Sequence, residues 1–71
     1  MEIEHETEER LSRESVAQRL HMLADELARH NELSFRRDGK QVTVAVPDDI
    51  VFSLEFEVGA DESEIEVELK W

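Results

Sequence analysis

Glu64-Ile65-Glu66-Val67-Glu68-Leu69-Lys70-Trp71 closes the chain. Charged and apolar residues alternate through it without a fault. Successive strand side chains point to opposite faces, so the segment predicts a strand with one dry face and one charged face. The only tryptophan ends the dry row. Upstream, Phe52, Leu54, Phe56 and Val58 form a second row of the same period. The polar stretch Gly59 to Ser63 reads as the turn between them. Pairing Val58 with Ile65 also pairs Phe56 with Val67, Leu54 with Leu69 and Phe52 with Trp71. The outward pairs are then Glu57–Glu66 and Glu55–Glu68. Like charges directly opposed across a ladder are destabilising. Glu2, Glu4, Glu6 and Glu64 are expected on the same side, so this face needs salt, a cation or a basic partner to neutralise it.

Working outward, Leu33 and Phe35 begin another period of two. Asp38-Gly39 is a two-residue hairpin signal. Pairing Arg37 with Lys40 across it sets Phe35 opposite Val42 and Leu33 opposite Val44, so register and hydrophobic pattern agree. The row runs through Val46 until Pro47-Asp48-Asp49 stops the strand. Between Arg13 and His30 the period is helical: Val16, Leu20, Leu23 and Leu27 share one stripe, widened by Ala17, Ala24 and Ala28. Ser12 reads as the N-cap, Glu14 favours the helix dipole, and Asn31 is expected to take the left-handed conformation that ends the helix. Glu9–Arg13, Asp25–Arg29 and Glu26–His30 are spaced for ion pairs along it. Glu2 to Thr7 alternates and predicts a first strand, placed beside the second, near Arg36, to avoid a third glutamate row. The expected order is β-α-β-β-β-β. The fold class is α+β: two layers, one amphipathic helix packed on a mainly antiparallel sheet, in a single domain over residues 1–71.

Composition excludes more than it assigns. Nineteen acidic residues against eight basic ones give a net charge of −11, and six of the eight cations are arginine. Such a field repels nucleic acid and anionic membranes and favours cationic partners or a salty solvent. The absence of cysteine removes thiol chemistry, thiolate-bound zinc and disulfides, and suits a cytoplasmic protein. No apolar run approaches the roughly 18 residues of a membrane span. The acidic start Met1-Glu2-Ile3-Glu4 lacks the apolar core of a signal peptide. Seventy-one residues leave room for one modest core, so a homodimer is a reasonable expectation.

The C-terminal Glu-Ile-Glu-Val-Glu-Leu-Lys-Trp, read with Leu11-Ser12-Arg13-Glu14 opening a helix and Val44-Ala45-Val46-Pro47 mid-chain, resembles the amphi-Trp domain family. These are small archaeal and bacterial domains with amphipathic strands and a terminal tryptophan. The resemblance covers nearly the whole chain. It implies this helix-and-sheet fold and no catalytic residues. Family members often carry glycine near the helix end, where this chain has Asn31. The acid-rich, lysine-poor composition looks like that of a member from a salt-loving archaeon.

No constellation of residues specifies a reaction. His21 and His30 lie about half a turn apart in azimuth and cannot share an ion, whereas helical zinc sites use i,i+4 spacing. His30 reads as an edge-of-core residue and His21 as solvated. Ser12 reads as a cap, Ser34 and Ser53 as outward strand positions, and Ser63 as part of a turn. Gly39 and Gly59 each serve a turn, leaving no phosphate-binding loop. The glutamates show no apolar pocket that would set one apart as an acid, so no enzyme, cofactor or metal site is expected. Carboxylates on a flat sheet diverge and would hold Mg²⁺ or Ca²⁺ only weakly. Arg36, Arg37 and Lys40 form one basic spot, which reads as a solvated turn. Trp71 either closes the core over Phe52 or anchors a partner.

The expectation is therefore a small protein-interaction or self-associating module, with no nucleic acid, membrane or small-molecule partner. Trp71, Glu55, Glu57, Glu64, Glu66 and Glu68 are its candidate surface. The alternatives are an acidic mimic of nucleic acid bound to a basic protein, and a weak divalent-cation binder.

Overall fold

The structure, a computed structural model, describes residues 4–71. One helix, α1 (Arg13–Arg29), is followed by four strands: β1 (Glu32–Arg37), β2 (Lys40–Ala45), β3 (Val51–Val58) and β4 (Ser63–Lys70). The class is α+β. The expected first strand is not present where it can be seen: Glu4–Thr7 forms no strand, and residues 1–3 lie outside the described part. Glu4–Thr7 carries no strongly apolar side chain to hold it against a sheet.

Helix α1 starts as its sequence dictates. Ser12 is extended (φ −68°, ψ 158°), and its Oγ accepts the Ser15 N–H at 3.1 Å. That satisfies one of the unpaired amides of the first turn, a contribution of about 1 kcal/mol. The helix ends differently from expectation. Among the described residues, Asp38 and Gly39 have positive φ and Asn31 does not. The chain instead leaves the helix extended at His30 (φ −131°, ψ 152°), whose N–H still donates to the Glu26 carbonyl at 2.9 Å. Asn31 then accepts the Val46 N–H at 2.7 Å. Tied to the end of β2, Asn31 has no need of a left-handed stop.

The three spaced ion pairs also give way. Both oxygens of Glu9 accept from the Arg19 guanidinium at 3.0 Å, ten residues along. Glu9 precedes the helix and lies back along it, outside the i,i+4 geometry with Arg13. The Arg19 pKa is raised, first by the hydrogen bonds it donates to Glu9 and then by that carboxylate's charge. The pair is solvent-exposed, so water and salt screen it and it adds little to stability.

β1 and β2 pair antiparallel in the expected register: Arg37 opposite Lys40, Phe35 opposite Val42, Leu33 opposite Val44. Asp38 (φ 51°) and Gly39 (φ 75°) make the left-handed two-residue turn that fixes it. α1 packs on β1, and beneath it Leu33 (5% exposed) and Val46 (8%) are the buried apolar residues among those described. Phe35 stays largely exposed.

β3 and β4 pair as a separate antiparallel hairpin. The single sheet expected from the sequence is thus two sheets of two strands. Among the described residues α1 meets β1 and no other strand. The Cα radius of gyration is 14.2 Å, against about 11 Å for a compact chain of this length. The register of β3–β4 is shifted by two from expectation: Phe56 faces Ile65, Leu54 faces Val67 and Phe52 faces Leu69. The Gly59 N–H donates to the Glu62 carbonyl at 2.9 Å and closes a tighter loop than the one foreseen. A Cβ at position 59 would lie 2.8 Å from that carbonyl oxygen, so the loop needs glycine there.

Candidate interaction surface

The β3–β4 hairpin has two chemically opposite faces. Because an even register shift preserves face identity, the apolar row remains intact. Phe52, Leu54 and Phe56 lie beside Leu69, Val67 and Ile65. All are exposed except Leu69, which is half-buried; Phe56 is 73% and Ile65 74% accessible. An amphipathic strand pattern of this strength ordinarily marks a face that packs on something. Contiguous apolar patches of this kind on a single chain mark interaction sites.

The other face carries the candidate glutamates, with partners that correct the expected ones. Glu55 stands opposite Glu66 and Glu57 opposite Glu64, while Glu68 faces Ser53. Glu55, Glu57, Glu64 and Glu66 line one shallow cleft. Among the described residues no ion pair joins a cation to any of them. The Glu66 carboxyl is held above its ordinary value of 4.5, first by hydrogen bonding to Glu64, then by that neighbour's negative charge, and last by desolvation. A hydrogen bond between two carboxyl groups requires a proton on one of them. The folded hairpin therefore binds that proton more tightly than the unfolded chain does. Its stabilising effect is complete below the ordinary value and disappears as pH rises through the raised one. Hairpin stability at low salt should accordingly increase as pH is lowered from neutrality into the carboxylate range. Amide exchange of β3 and β4 measures this; an unchanged pH dependence in Glu64→Gln would contradict the assignment to this pair.

Trp71 lies one residue beyond β4 and is 55% exposed. Its expected partner Phe52 stands opposite Leu69 instead, and with Phe52 also exposed no buried core is closed there. His21 is exposed as expected, but His30 is exposed as well and not at the edge of the core. Among the described residues no three or more His, Asp or Glu converge as metal ligands. Arg36 Nη1 donates to the Gly39 carbonyl at 3.3 Å, which ties one of the three basic residues to its own turn. A hollow not foreseen from the sequence lies where Leu27, His30 and Asn31 face Val46, Pro47 and Ile50. It follows from the helix exit meeting the β2–β3 connection, a juxtaposition no local pattern announces.

The Amphi-Trp domain matches residues 1–71, the whole chain. The chain belongs to the Amphi-Trp domain family. No curated protein and no solved structure matches it. In this Amphi-Trp domain β3 and β4 alternate apolar and polar residues, and the single tryptophan is Trp71. No helix among the described residues is long and apolar enough to cross a membrane.

Proposed function

We propose that this Amphi-Trp domain is a small interaction module that docks through the apolar face of its β3–β4 hairpin. The observation that carries the reading is the exposure of that face: Phe56 and Ile65, directly paired across it, are both almost three-quarters accessible. Burying such side chains contributes about 25 cal/mol per Å², and on the single chain that gain is unrealised. The domain acts by binding and not by catalysis. The glutamate face, opposite the docking face, is the solvated side, suited to a cytoplasm with concentrated salt. Net charge −11 and two directly opposed Glu–Glu pairs support that setting, since the Debye length falls to about 3 Å at 1 M salt. A member from a salt-loving archaeon fits this composition.

The acidic face motivates one competing reading, a nucleic-acid mimic gripping a basic protein. A photo-crosslinking residue placed at Phe56 and, separately, at Glu57 distinguishes the two in native lysate at molar KCl. Protein adducts from position 56 and few from 57 are expected. Adducts from 57 alone would overturn docking through the apolar face and favour the mimic.

A further inference from the structure

The docking face has a size, a chemistry and a symmetry that together select its occupant. A compact protein of 8.3 kDa exposes about 4,600 Å², whereas this chain exposes 7,221 Å². The difference, roughly 2,600 Å², exceeds the about 1,000–2,500 Å² that an obligate dimer removes from each partner. Phe52, Leu54, Phe56, Ile65 and Val67 account for about a quarter of it, on the order of 700 Å² at their observed exposure, close to the about 800 Å² per partner of a standard interface.

The face presents no charged side chain for a foreign polar group to recognise. What complements it is another apolar sheet face of equal dimensions, and a second copy supplies one at equal concentration. We propose that two copies of this chain pair β3–β4 face to face in a twofold dimer. The inference rests on the docking reading above and names its partner.

The row Phe52–Leu54–Phe56 is bulky, and the row Leu69–Val67–Ile65 beside it is slimmer. A twofold axis between the sheets and along the strands lays the bulky row of one copy over the slim row of the other. Such an isologous contact is self-complementary and closed, and does not propagate. Packed sheets stand about 10 Å apart, the normal thickness of a two-sheet core. The glutamate rows then face outward on opposite sides, so −11 on each chain is not forced together. Edge-to-edge pairing would instead continue one glutamate surface across both copies. The dimer also supplies the second layer that β3–β4 lacks within a single chain.

Sedimentation equilibrium of the full chain at 2 M KCl and tens of micromolar tests this, with 2 M chosen to screen charge. Twice the 8.3 kDa chain mass is expected. Phe56→Glu should weaken the dimer by at least roughly 30-fold, as for a central aromatic anchor. The chain has no cysteine, so a single introduced thiol links only to another copy. Leu54→Cys should be joined by a short bismaleimide, and Ser53→Cys on the opposite face should not. A dimer joined equally well from both positions overturns the face-to-face arrangement even if Phe56→Glu unfolds. A monomer overturns the second copy as occupant. In that case Leu54→Cys reacting as fast as a free thiol leaves the docking reading standing. A monomer whose Leu54→Cys is shielded defeats both, because the chain then covers its own face.

Discussion

Leu33→Ala should remove a large share of the protein's stability near neutral pH. Leu33 is 5% exposed, opposite Val44 on the strand that α1 packs against. A buried Leu→Ala change costs about 2–5 kcal/mol through lost transfer energy and the cavity left behind. A domain of this length has a total stability of about 4–10 kcal/mol. With Val46 its only buried apolar companion among the described residues, Leu33 has few neighbours able to collapse into the space. Thermal unfolding followed by circular dichroism reads the loss. A cost below about 1 kcal/mol would mean that Leu33 is not the centre of the helix–hairpin core.

Exchanging two glutamates for lysines should produce the second large effect, in the opposite direction. Glu55 opposes Glu66 and Glu57 opposes Glu64. Glu55→Lys with Glu57→Lys converts two like-charged pairs into two opposite-charged ones. Directly opposed like charges destabilise a ladder and opposite charges stabilise it, so the double variant should be clearly more stable at low salt. The wild type should gain stability between about 0.1 M and 2 M KCl as the Debye length shrinks from about 10 Å to below 3 Å. The variant should gain much less over that range. Equal stability of the wild type at both salt concentrations would contradict the role given to the opposed glutamates.

The legible parts of the fold were those fixed by a local rule. Asp38-Gly39 admits one turn geometry, and that geometry sets every pair of β1–β2. Ser12 and the stripe from Val16 to Leu27 set the start and the apolar side of α1. β3–β4 has no such anchor. Alternation by two is unchanged when the register slips by two, so the pattern identified the dry and charged faces but could not choose the pairs. The choice was made by Gly59, whose close approach to the Glu62 carbonyl shortens the loop. Hence the glutamate face was readable while Glu57–Glu66 and Glu55–Glu68 were not its pairs, and Trp71 lost Phe52 as a partner. The joining of all strands into one sheet rested on apolar rows alone. Such rows state that a face must be covered and do not say by what.

That open face is the centre of the account, and intermolecular nuclear Overhauser effects test it most directly. In an equal mixture of isotope-labelled and unlabelled protein at 2 M KCl, filtered spectra separate contacts between copies from contacts within one. Contacts between the Phe56 ring and the methyl groups of Ile65 or Val67 on different copies are the predicted result. Contacts from Phe56 and Val67 to Leu20 or Leu23 of the same chain would contradict it, because α1 would then be the cover and no docking face would exist.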